Sequence, residues 1–137
     1  MATWQFDLSA VQEDGNPTLP AAWRFRVEGF LVGLYNPSME SDGWTMFGPS
    51  DGDRIDLFFD TASCEVSVRI DARNDDRTFI ATVCALMTLL RCSLHSAELG
   101  ETIPPNADAI YAALQRSAAW RFALDPGAFI AARARGG

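Results

Sequence analysis

Residues 54–71 hold two runs of strict apolar–polar alternation joined by a short polar segment. Ile55, Leu57 and Phe59 alternate with Arg54, Asp56 and Phe58, and Cys64, Val66, Val68 and Ile70 alternate with Glu65, Ser67, Arg69 and Asp71. Side chains along a strand point to opposite faces with a period of two. A segment written this way is a β-hairpin with one face aimed at a core, turning at Asp60-Thr61-Ala62-Ser63. The period then changes. Phe79, Ile80, Val83, Leu86, Met87 and Leu90 recur at spacings of three and four, which predicts an amphipathic helix over 75–91. Asn74 or Asp75 is positioned to act as its N-cap, with acids suiting the positive helix end.

The remaining segments extend this plan. Trp4-Gln5-Phe6-Asp7-Leu8-Ser9 alternates and predicts a half-buried strand. Trp23, Phe25 and Val27 alternate with Arg24, Arg26 and Glu28, giving a second strand that runs on through Phe30–Tyr35 and ends at Asn36-Pro37-Ser38. The run after Met39-Glu40-Ser41-Asp42-Gly43 predicts a short strand at Trp44–Phe47. A further one is expected at 92–96, then a turn at Leu99-Gly100-Glu101. Pro104-Pro105-Asn106 opens a helix over 106–118, and Asp125-Pro126 opens a short one anchored by Phe129 and Ile130. The expected fold is a single α+β domain over 1–137. An antiparallel meander of four to five strands packs one face on a long amphipathic helix, and two short C-terminal helices close an end.

Composition limits what such a domain does. The chain has 137 residues and a formal net charge of −7, with 48% apolar residues. Its nine Phe and four Trp suffice for a core. The acidity is concentrated: residues 1–76 carry 14 acids against 5 arginines, while 77–137 carry 4 acids against 6 arginines. Nucleic-acid binding draws its affinity from phosphate neutralisation by basic side chains, so no nucleic-acid partner is expected. No apolar run reaches the ~18 residues of a membrane helix, and no export signal is readable. Cys64, Cys84 and Cys92 lack disulfide or zinc spacing and fit a reducing cytoplasm. All 11 basic residues are Arg, so Schiff-base chemistry and a phosphate-binding loop lysine are absent.

Few residues are left to carry chemistry. His95 is the single histidine, no nucleophile-elbow pattern accompanies it, and catalysis there is the minor reading. Asp51-Gly52-Asp53-Arg54-Ile55-Asp56 opens like a calcium loop, but Ala62 occupies the place of the bidentate Glu, so no metal is expected. The carboxylates Asp51, Asp53, Asp56, Asp60, Asp71, Asp75 and Asp76 gather around the hairpin as an acidic zone. Phe58 stands on the polar face of its strand between Asp56 and Asp60, and Trp44 follows a loop. Both read as aromatic anchors for a partner.

Gly100-Glu101-Thr102-Ile103-Pro104-Pro105, Ile110, Ala113-Leu114, Ser117, Phe122, Asp125-Pro126 and Phe129-Ile130 together resemble small acidic bacterial toxin-immunity proteins over the last third of the chain. The resemblance implies a cytoplasmic, non-enzymatic protein without cofactor. It would neutralise a basic toxin through a surface containing Trp44, Asp51, Asp53, Asp56, Phe58 and Asp60. An acidic secretion chaperone that holds an effector segment on an apolar groove is the alternative, and a small enzyme using His95 the third.

Overall fold

A computed structural model describes residues 3–74, 76–127 and 130–131. Among these, eight strands form one antiparallel sheet in the order β3-β4-β5-β6-β1-β7-β8, with β2 pairing β6 beside β1. The strands are β1 (Gln5–Val11), β2 (Leu19–Pro20), β3 (Pro37–Ser41), β4 (Trp44–Phe47), β5 (Arg54–Phe59), β6 (Ser63–Asp71), β7 (Ser93–Ser96) and β8 (Glu101–Ile103). The helices are α1 (Trp23–Leu31), α2 (Arg77–Leu90), α3 (Ala107–Gln115) and α4 (Ala118–Leu124). The α+β class holds, with more strands than the alternating segments suggest.

The β5–β6 hairpin pairs Ile55 with Val68 and Leu57 with Val66, so its apolar stripe lies on one face as its period requires. Phe6, Leu8 and Ala10 of β1 join that face, and Phe79, Ile80, Val83, Leu86, Met87 and Leu90 of α2 pack against it. Burying each such Phe, Leu or Val is worth ~1.5–3 kcal/mol, which makes this layer the main source of stability. Asp76, rather than Asn74 or Asp75, caps α2: its carboxylate accepts the Phe79 backbone N–H at 2.9 Å. Asp75 lies outside the described residues. At the other end Arg91 turns left-handed, with φ of 55°, and its N–H meets the Met87 and Thr88 carbonyls.

Three expectations change. Trp23–Leu31 is a helix, not a strand. Trp23, Val27, Phe30 and Leu31 recur at a helical spacing and face the core, and Arg24 pairs with Glu28 one turn on at 3.0 Å. Pro37 begins β3 rather than ending a strand, and the preceding residues 32–36 form the turn out of α1. The helix expected at 106–118 divides. Asn106 does cap α3, but Ser117, fully buried, accepts the Trp120 N–H and starts α4. Asp125 closes α4, and helix resumes at Pro126 directly after it, as the Asp125-Pro126 pair predicts; Phe129 lies outside the described residues.

Gly43 shows why one turn must be glycine. Its φ is +82°, and a Cβ there would stand 2.4 Å from the Phe59 carbonyl oxygen. The Phe59 N–H donates to the Gly43 carbonyl at 2.8 Å, so β5 holds the turn close. Gly43→Ala is expected to cost about 1–3 kcal/mol by denaturant titration. No loss would show that β4 and β5 part there without penalty.

Candidate functional site

Antiparallel register places Trp44 of β4 directly opposite Phe58 of β5. The rings stack with centroids 5.7 Å apart and planes 21° apart. Phe58 keeps 38% of its surface in water although it lies inside a sheet. The stack is held from below. Trp44 Nε1 donates to Asp56 Oδ1 at 3.1 Å, and Arg54 Nε donates to Asp56 Oδ2 at 3.1 Å. Asp56 is buried, and the Arg54 guanidinium also reaches the Ser50 carbonyl. A charge-assisted pair in this setting fixes the indole plane. The result is a rigid aromatic platform open to solvent on its outer side.

The acidic zone read from the sequence divides into two groups with different roles. Asp53 and Asp56 are not surface acids. Asp53 is 8% exposed and accepts the Asp71 backbone N–H at 2.7 Å. Burial is the main cause that pushes its pKa up to about 6, with the charges of Asp76 and Asp71 adding and the Asp71 hydrogen bond opposing. Asp71 is itself buried and binds the Arg73 backbone N–H and guanidinium. Asp76 is the α2 cap. These carboxylates hold turns and helix ends together. Asp51 and Asp60 remain exposed. The Asp51 carbonyl receives the Trp4 indole N–H and the Arg73 guanidinium, while its carboxylate stays outside that network. Asp60 Oδ1 accepts the N–H groups of Ala62 at 2.7 Å and Ser63 at 2.9 Å, which lowers its pKa and keeps it ionised. Trp4 is half-buried against Phe122 with Arg73 over its ring, and Trp23 packs from α1.

Two depressions flank the platform. On the face turned away from α2, a groove of about 240 Å³ contains Trp44, Phe58, Asp56, Arg54, Asp7, Arg69 and His95. The register sets Ser9 between His95 and Ser67, and His95 between Ser9 and Thr102. A hydroxyl thus lies across from the imidazole. The nearby Asp7 carboxylate, however, receives Arg69 on both oxygens, at 2.6 and 3.3 Å, so it is engaged with a cation rather than orienting His95. On the helical side, a groove of about 720 Å³ lies between the start of α1 and the ends of β4 and β5. Ala21, Ala22, Phe25 and Phe59 supply its apolar surface, and Asp42 and Asp60 stand at it. The sequence did not signal this groove, because it depends on α1 being a helix that turns Phe25 outward, 65% exposed.

Among the described residues, no group of three or more His, Cys, Asp or Glu is placed to hold a metal ion. No described helix is long and apolar enough to cross a membrane. Cys64 and Cys92 are buried and Cys84 half-buried, all as free thiols whose pKa burial pushes up. No family model matches the chain, and no curated protein and no solved structure is significantly similar to it.

Proposed function

We propose that the protein is a non-enzymatic binding protein of the immunity type, which neutralises a basic toxin by occupying it with the end of the sheet built from β4, β5 and the β5–β6 turn. The observation that carries this reading is the solvent-facing Trp44–Phe58 stack pinned by the buried Asp56–Arg54 pair. A flat aromatic surface whose rotamers are already fixed loses little entropy on binding and suits a hot spot. The net charge of −7 favours encounter with a cationic partner. Asp51 and Asp60 contribute to that field, whereas Asp53 and Asp56 act through the fold.

The test is capture from the native host lysate at low salt, followed by co-expression of the captured protein in a growth assay. The reading requires a captured protein that arrests growth alone and is harmless beside the wild-type chain. Phe58→Ala is expected to weaken that complex by ~2 kcal/mol, about thirtyfold in Kd, while the protein stays folded with a smaller loss of stability, about 1 kcal/mol, from the broken stack. A captured partner that is harmless to the cell, or a Phe58→Ala complex of undiminished affinity, counts against it. One observation favours the chaperone reading instead: Phe25, Val32 and Met39 expose apolar surface around α1 and the edge strand β3. Sedimentation separates the two, since a chaperone of this size is expected to dimerise and a one-to-one inhibitor is not.

A further inference from the structure

We infer that the groove between α1 and the β5–β6 turn takes a cationic side chain with a long aliphatic stem, an arginine of the partner protein. The inference rests on the binding reading above and names what this part of the surface recognises.

Three features of the groove converge on that occupant. Its walls are apolar and partly aromatic, from Ala21, Ala22, Phe25 and Phe59. Asp42 and Asp60 stand at it without a cation. Asp42 has no hydrogen-bond or ion-pair partner among the described residues, and the groups on Asp60 are backbone N–H donors. Among the described residues the only cation lining the groove is Arg24, and it is already satisfied. Its guanidinium lies 3.8 Å from the Phe59 ring centroid and 5.0 Å from that of Phe25, while its Nε binds Glu28 at 3.0 Å. The groove thus holds one guanidinium on an aromatic surface and keeps two carboxylates uncompensated beside it. A neutral apolar side chain would fill the walls and leave both carboxylates facing it. A short cation would reach the acids without covering the rings. An arginine does both: its methylenes lie on the walls and its planar head meets the carboxylates. A volume of about 720 Å³ accommodates the side chain together with the peptide that carries it.

The test needs no partner. The amide spectrum of the isotope-labelled protein is recorded while N-acetyl-arginine amide is added, then N-acetyl-citrulline amide, which has nearly the same shape without the charge. Saturable shifts are expected at Gly43, Phe59 and Thr61 with the arginine probe, and about tenfold weaker binding with citrulline. Asp42→Asn together with Asp60→Asn should bring the arginine probe down to the citrulline level. Asparagine at 60 can still accept the Ala62 and Ser63 N–H groups, so the turn is retained. Absent shifts, shifts centred elsewhere, or equal affinity for the two probes overturn the assignment. Those outcomes leave the Trp44–Phe58 reading intact, because it is tested by the partner complex and by Phe58→Ala.

Discussion

Asp56→Ala is expected to lower the stability of the protein by about 3–5 kcal/mol, and its Tm by ~10–20 °C. Asp56 is 4% exposed, and its two oxygens separately hold the Trp44 indole and the Arg54 guanidinium. The Arg54 side chain is itself only 11% exposed. Removing the carboxylate leaves that cation with the Ser50 carbonyl alone, and an uncompensated buried charge costs far more than the intact pair contributes. Asp56→Asn should lose less, because its carbonyl still accepts the indole N–H. Arg54→Met combined with Asp56→Leu should recover most of the loss, since apolar residues of similar volume often replace a buried pair without penalty. Guanidinium titration of the four proteins checks the order. If Asp56→Ala and the double replacement prove equally unstable, the cost lies in packing rather than in the orphaned charge. Partner affinity adds a second readout: the double replacement should bind weakly even where it folds well, because nothing then fixes the indole.

That dependence explains which parts of the site the sequence made legible. Phe58 was recognisable as an aromatic on a polar face, and the hairpin register followed from strict alternation at 54–59 and 63–71. The partner ring was recognisable only as a residue after a loop, because its pairing depends on β3 and the Asp42-Gly43 turn, which alternation does not reveal in the short, wholly exposed Pro37–Ser41. The Asp-Gly pair between two extended segments was the available signal. α1 was hidden for another reason. Trp23, Phe25 and Val27 satisfy a period of two, while Trp23, Val27 and Leu31 satisfy a helical one. The window that decides between them must reach Leu31. A period of two in this segment also hides the apolar groove, whose outer wall is Phe25. The insertion of β1 between β6 and β7 is a long-range choice, made by tertiary packing of Phe6, Leu8 and Ala10.

Burial of charge was the least legible property. Asp53, Asp56, Asp60 and Asp71 look alike along the chain, yet the first two and Asp71 are buried, Asp60 is exposed, and each meets different donors. What separates them is the parity of each position and the donor it meets. Asp56 lies over Arg54 and Trp44, Asp71 over Arg73, and Asp60 at a turn where backbone N–H groups converge. Acid count alone therefore overstated the surface available to a partner. The exposed carboxylates that the proposed binding reading calls on are then Asp42 and Asp60, at the groove.

Asp53→Asn is expected to stabilise the protein at about pH 8 by up to ~3 kcal/mol, with the gain vanishing below about pH 4. The folded-state pKa of Asp53 is raised from 3.8 to about 6, chiefly by burial. Above that value the carboxyl is ionised in both states, and only the folded state bears the cost of an enclosed charge beside Asp71 and Asp76. Between about 6 and 3.8 the folded protein binds a proton that the unfolded chain does not, so this group favours folding more as pH falls through that window. The sign is opposite to that of Asp60, whose lowered pKa favours folding at neutral pH and is lost on acidification. Asparagine at 53 keeps a carbonyl for the Asp71 N–H and removes the charge at every pH. Its amide donors face the carboxylates that formerly repelled it. Denaturant titration of both proteins from about pH 4 to about pH 8 should therefore show curves that converge at the acid end and separate above about pH 6. A variant that is less stable than the wild type at the alkaline end would mean that the ionised carboxylate gains more from the Asp71 N–H than burial takes away. The loop leading into β5 would then be anchored by charge rather than despite it.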